Sequence, residues 1–345
     1  MLRIVLIYNR RRSSGQLCEA LIGGKAMVSI AKILRGAVGV AMLAVFAWLA
    51  GRYLQVRELS AAFSSLLRSP GILVIMTIAY AASFLLKSAA WKLYANARQS
   101  AWKHVAPLGY SLFINHLLPI KAGDLVRTGL AAKLERQNWD EALHTVAVMR
   151  VMDISVLLLF GGIGLAVLGV DWVPGGGFFI AGAAVLGLIL LLAGLRFANQ
   201  RGIRFAERQL LLLRRLRTRR AFQAWLITAA SWVFEAVVPF GVLIALKTQI
   251  PFGEAVWVNS MTVAGQLFHV TPGGIGTYET TMSASLAALG EERSAALTAA
   301  VVSHAYKFLF AFAAGAVSWL ILPIGTRDIT RWLRSRRTGK EEPAQ

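Results

Sequence analysis

The sequence predicts an all-α polytopic membrane protein, and three observations predict it. First, apolar residues come in long runs, such as Val38–Leu49, Gly71–Leu86, Ile154–Val170 and Phe178–Leu195, in a chain of 345 residues that is 57% hydrophobic. Crossing a bilayer core takes roughly 20 predominantly apolar residues, fewer where flanking side chains snorkel. Second, Lys and Arg gather in particular connections. Third, two apolar segments are interrupted by proline and glycine. The alternating ten-residue strands of a membrane β-barrel are absent.

Eight apolar segments follow in order: about 36–54, 70–90, 105–119, 142–170, 174–195, 221–246, 254–289 and 294–322. A basic segment, 1–35, precedes them and a basic tail, 323–345, follows; both are expected in the cytoplasm. The stretch before Met27 has no cleavable signal pattern, and "MVSIAKILRGAVGV" from Met27 reads equally well as the beginning.

Charge decides how many segments cross. If all eight cross, Lys and Arg divide 17 to 17 between the two faces. If segments three and seven enter and leave by one face, the division becomes 29 inside to 5 outside. Cytoplasmic connections carry the excess of Lys and Arg, so the second arrangement is preferred. It has about six full spans and two re-entrant helical hairpins, with both termini inside.

Length and composition agree. Segment three and the first limb of segment seven are each about sixteen residues, or ~24 Å of helix. Each ends in a breaker, "LLPIKAGD" at 117–124 and "VTPGGIGTYE" at 270–279. Proline cannot continue a helix and glycine weakens one. Irregular backbone at membrane depth is tolerated only where protein or a water-filled cavity covers it. The two halves also match in order. Ser83-x-x-x-Lys87 precedes the first breaker and Ser231-x-x-x-Glu235 the second. Pro119 and Gly123 are spaced like Pro272 and Gly276. Arg150-x-x-Asp153 and His304-x-x-Lys307 follow at nearly equal distances. This order predicts an inverted repeat, a recurring plan among transporters.

The breakers are also candidate binding sites. A helix starting near Thr277 leaves its first N–H groups unpaired, and Pro272, Gly273, Gly274 and Gly276 let backbone approach an anion closely. The first breaker adds Lys121, Gly123 and Arg127, with Asp124 well placed to cap its own helix. A plain tight turn at 272–279, and capping alone at Asp124, are the structural alternatives. Ionisable residues inside a span usually face the bundle interior. Arg150, Asp153, Glu235, Glu279 and Lys307 are therefore expected to line one chamber. Arg150 and Asp153 can pair at i, i+3 spacing, or merely pin their helix. Glu235 has no opposite charge within one turn and needs a partner from elsewhere. His116 and His269 sit near the tips and read as hydrogen-bonded interfacial residues.

Other functions find less support. The net charge of +20 would suggest nucleic acid in a soluble chain, but here anionic lipid at the cytoplasmic face accounts for it, above all at the Arg-rich loop 196–220. Cys18, the only cysteine, excludes an intramolecular disulfide. No H-E-x-x-H, G-x-S-x-G or phosphate-loop motif occurs, nor an Asp-rich metal site, so neither metal nor cofactor is expected. A membrane-embedded enzyme using Glu235 or Glu279 as base, acting on a lipid headgroup or polyprenyl carrier, is the alternative function. A scaffold for a lipid-synthesis partner is a third.

The chain resembles the transmembrane flippase-like domain of bacterial lysylphosphatidylglycerol synthases, through "LLPIKAGDLVR" (117–127), "VMRVMDISVLL" (148–158) and "TPGGIGTYE" (271–279). The resemblance covers roughly 36–322 and implies a bacterial inner-membrane protein that moves a lipid between leaflets. Its lipid could be a phospholipid, a glycolipid or a hopanoid. The synthases' soluble aminoacyl-transferring domain has no counterpart in the sequence, so lysyl-lipid synthesis is not expected.

Overall fold

The computed structural model describes residues 44–118, 122–168, 204–266 and 271–323, with a few helical residues between 193 and 201. The basic N-terminal segment, nearly all of segment 174–195, residues 119–121 (Lys121 among them), His269 and all but the first residue of the basic tail lie outside the described residues.

Every described element is helical. Residues 44–53 form the described part of the first segment. Ten further α-helices follow: α1 (Val56–Leu67), α2 (Pro70–Ala95), α3 (Ala101–Leu117), α4 (Gly123–Glu135), α5 (Trp139–Leu168), α6 (Arg204–Leu213), α7 (Arg219–Ala245), α8 (Phe252–Gly265), α9 (Thr277–Ala288) and α10 (Arg293–Ile321). Local sequence explains several boundaries. Pro70 opens α2, where its missing N–H costs nothing, and Asn96 ends it in a left-handed conformation (φ 52°). Thr218 caps α7 by accepting the Ala221 N–H at 3.3 Å. The amphipathic α1, not anticipated in the connection 52–69, buries Ala62 and Leu66.

Four helices, α2, α5, α7 and α10, have 26 to 30 residues and are apolar enough to cross a membrane. At 1.5 Å per residue they are roughly 40 Å long. Their outward faces carry Val74, Ile75, Ile78, Ile163, Val167, Leu309, Trp319 and Leu320, each more than half exposed. Water would penalise so large an apolar surface, whereas hydrocarbon requires it. The protein is a multi-pass helical membrane protein.

Lengths recur along the chain. Helices α2 to α5 have 26, 17, 13 and 30 residues, and α7 to α10 have 27, 14, 12 and 29. Contacts recur with them. The long helices α2 and α7 lie along each other, α3 packs on α10, and α8 packs on α5. In each half the two short helices also pack on one another. The result sets two helix breaks, near 118–123 and 266–277, beside the long helices that carry the buried charges.

Candidate functional site

The second break is built by its glycines. Residues Pro272–Gly274 form a single 3-10 turn, and Gly273, Gly274 and Gly276 have φ of 62°, 79° and 86°. Side chains rarely adopt that region, so the break needs glycine for its backbone alone. At Gly273 a Cβ would also strike the ring of Phe308 on α10. The first break shows a different device. Asn115, in the last turn of α3, accepts the Gly123 N–H at 2.9 Å and so starts α4. A Cβ on Gly123 would meet Asn115 and the Ser111 carbonyl.

Asp124 does not cap its own helix, as the sequence suggested. It sits one residue inside α4, beyond the N-cap position held by Ala122, and its carboxylate turns to Arg150 on α5. Arg150 donates Nε to Asp124 Oδ2 at 2.9 Å and Nη2 to Oδ1 at 2.7 Å, a two-pronged pairing. The expected Arg150–Asp153 contact is secondary, at 3.7 Å. Asp153 instead accepts the indole N–H of Trp232 on α7 at 3.0 Å.

Glu235 finds its partners on other helices. Lys87 of α2 reaches Oε2 at 2.8 Å, and Lys307 of α10 reaches Oε1 at 3.0 Å. Lys307 also donates to Asn259 Oδ1 on α8 at 3.1 Å. Glu235 and Lys307 are 5% and 4% exposed, so a buried carboxylate joins two cations from opposite halves of the chain. The Lys87 ammonium lies 3.7 Å from the Trp232 ring centroid, a cation–π contact that links this triad to Asp153.

Around the second break the chain answers its own N-terminus. Glu279 Oε2 accepts the Gly276 N–H at 2.7 Å, so that group is not available to a ligand as the sequence suggested. Glu279 Oε1 meets His304 Nδ1 at 2.7 Å, and His304 Nε2 meets the Gly273 carbonyl at 3.1 Å. Tyr278 stacks on His304 with centroids 4.2 Å apart, and its ring lies 5.4 Å from the Lys307 ammonium. A continuous chain of contacts thus runs from Asp124 through Arg150, Asp153, Trp232, Lys87, Glu235, Lys307, Tyr278 and His304 to Glu279.

Arg127 lies outside that chain. It is 3% exposed, stacks over Trp91 with the guanidinium 4.2 Å from the ring centroid, and makes no salt bridge among the described residues. Its Nε is buried without a hydrogen-bond partner. Of the sequence-derived candidates, the structure brings Asp124, Arg150, Asp153, Glu235, Glu279 and Lys307 into one network. Arg127 stands separately, Gly273, Gly274 and Gly276 supply left-handed backbone at the second break, and Gly123 allows the close approach of Asn115 at the first.

Sequence reasoning missed Lys87, Trp232 and His304 as members. The signal for Lys87 was present: it is a lone cation in an apolar run. Part of the Arg-rich loop also pairs with acids of the protein. Arg208 pairs with Asp140 at 3.3 Å and Arg215 with Glu141 at 2.9 Å, at the first turn of α5. Arg214, Arg217 and Arg219 remain exposed.

No curated protein and no solved structure matches the chain. A protein family does: the description "Lysylphosphatidylglycerol synthase TM region" matches residues 35–315, which includes both breaks and every member of the buried network. The chain therefore belongs to the lysylphosphatidylglycerol synthase transmembrane-region family.

Proposed function

We propose that the protein is a lipid translocase, moving a polar or anionic lipid between leaflets through a chamber between the two helix breaks. The observation that carries this reading is the buried guanidinium of Arg127, which makes no salt bridge among the described residues and whose Nε has no hydrogen-bond partner, within electrostatic reach of the Asp124–Arg150 pair. A buried cation that no acid contacts directly is costly in a membrane interior, and an anion that pairs with it removes part of that cost. A lipid phosphate has the charge and acceptor geometry that a guanidinium matches, and Trp91 holds the group in place.

In this reading α3–α4 and α8–α9 are re-entrant hairpins from opposite faces, related by an inverted repeat, and both termini lie inside a bacterial plasma membrane. The matched helix lengths support the repeat, as does the pairing of Lys87 with Glu235, which occupy equivalent positions after Ser83 and Ser231. Two halves joined at such a buried seam could rock against each other to open the chamber alternately. Transport is favoured over lipid chemistry because both carboxylates that an enzyme would use as base are already engaged. Glu235 is held by two lysines, and Glu279 by His304 and Gly276.

The test is reconstitution in phosphatidylcholine vesicles containing tail-labelled fluorescent phosphatidylglycerol, scored by quenching of the outer leaflet. Protein-dependent loss of the protected inner pool is expected, and Arg127→Ala is expected to slow it at least tenfold while the protein stays folded. Movement no faster than in protein-free vesicles for phospholipid, glycolipid and hopanoid probes alike would overturn the proposal.

A further inference from the structure

We infer that Glu279 and His304 form a proton-binding site, and that release of its proton frees the second helix break from α10. A carbonyl oxygen only accepts, so His304 Nε2, 3.1 Å from the Gly273 oxygen, carries a proton. Glu279 Oε2 already accepts the Gly276 N–H. The 2.7 Å contact between Nδ1 and Oε1 must then contain a proton of its own, on the imidazole or on the carboxyl. Without it, two lone pairs would face each other in a site where His304 and Glu279 are 2% and 5% exposed.

Loss of that proton cannot be absorbed by a change of tautomer. With the remaining proton on Nε2, Nδ1 opposes the Glu279 carboxylate. With it on Nδ1, Nε2 opposes the Gly273 carbonyl. In either case one contact between α10 and the break turns from attraction to repulsion, and an unmet buried polar group is costly. The turn at Pro272–Gly274 is held to α10 by the Nε2 contact, so protonation and the position of the break are linked.

Among the described residues, the surrounding groups offer no substitute for the proton. On α10, Lys307 is committed to Glu235 of α7 and Asn259 of α8. On α9, Tyr278 covers one imidazole face. From α3, the His116 ring lies 6.3 Å from that of His304, and its Nδ1 meets the Leu112 carbonyl at 2.9 Å. The ionisable residue of α8, Glu254, is in its first turn, three turns from Gly265, which packs on Thr281 of α9.

The matching latch in the first half is Asp124–Arg150, whose guanidinium does not give up a proton. Only the second latch therefore holds its two elements together through a proton shared by an imidazole and a carboxyl group. Coupled to lipid movement, a step that rests on the function proposed above, the site would take a proton from water when its break faces one side and return it on the other. One proton per lipid would let a difference of one pH unit shift the leaflet ratio by up to about tenfold.

Vesicles carrying the fluorescent phosphatidylglycerol and entrapped pyranine test the coupling. Wild type should move lipid faster under an imposed pH gradient, with pyranine reporting proton movement in step. Glu279→Gln should lose the dependence on the gradient: its amide oxygen can still accept the Gly276 N–H, while its NH2 faces Nδ1 and needs no shared proton. Lipid movement indifferent to the gradient in wild type would overturn the coupling and leave the translocase standing. If no lipid moves at all, the translocase falls, and nitrogen-15 NMR of histidine-labelled protein with carboxyl infrared spectra still decides the site. At neutral pH these should show a proton between His304 and Glu279, assigned by loss of the signals in His304→Gln. A neutral imidazole beside an ionised Glu279 would overturn the site.

Discussion

The two breaks do the same mechanical job with different chemistry. In the first, a neutral side chain from the preceding helix, Asn115, accepts the N–H of Gly123, and an arginine on the following long helix holds an acid from the short one. In the second, Glu279 performs both tasks, accepting the Gly276 N–H with one oxygen and meeting His304 with the other. The first latch is also the wetter: the Arg150 side chain is 41% exposed, whereas that of His304 is 3% exposed. One fold plan thus carries a partly exposed ion pair in one half and a dry imidazole–carboxyl contact in the other. Between them lies Glu235, which belongs to neither latch and holds the halves together.

The largest expected effect breaks that junction. Glu235→Ala leaves Lys87 and Lys307 buried without a carboxylate, and breaking a buried pair from one side costs about 3–5 kcal/mol. Asp124→Asn should cost less, about 1.5–3 kcal/mol, the value of a hydrogen bond to a charged group, because Arg150 keeps Asp153 at 3.7 Å and is partly solvated. Thermal unfolding of detergent-solubilised protein, followed by size-exclusion chromatography, should rank Glu235→Ala well below Asp124→Asn. Equal losses would mean that the junction is no drier than the first latch.

Gly273→Ala comes next and sharpens the contrast between the breaks. It meets two penalties: roughly 1–2 kcal/mol for a side chain in left-handed backbone, and about 1–3 kcal/mol for driving a methyl group into Phe308. Gly290→Ala is the control. Its φ is 94°, but nothing lies within 4 Å of the added carbon, so only the backbone penalty applies. A larger loss at Gly273 than at Gly290, whose φ is the less favourable for a side chain, reads the packing of the break on α10.

What could be seen in the sequence divides along physical lines. Breaks were legible because Pro272, Gly273 and Gly123 act on their own backbone, and apolar runs were legible because lipid demands them. Partners were not. Lys87 and Glu235 are 148 positions apart, and Asp124 and Arg150 are 26 apart, so their pairing depends on helix packing rather than on spacing. Where local spacing did suggest a pair, as at Arg150 and Asp153, the tertiary partner Asp124 took the closer contact. The capping role read for Asp124 failed for a related reason: a cation on the neighbouring helix outcompeted the backbone, and Asn115 supplied the cap from a residue that no local rule singles out.

Asn115→Ala gives the smallest expected effect and isolates that cap. It removes the acceptor of one backbone N–H at the start of α4, and losing a cap typically costs about 1 kcal/mol. The Asp124–Arg150 latch would survive, since its hydrogen bonds run between α4 and α5 and do not involve Asn115. Hydrogen exchange should therefore speed up in the first turn of α4 while α5 stays protected. The second break admits no such separation, because removing Glu279 abolishes cap and latch together. Exchange that spreads from α4 into α5 in Asn115→Ala would show the first break to be as tightly coupled as the second, and the contrast between them would reduce to whether the latch can lose a proton.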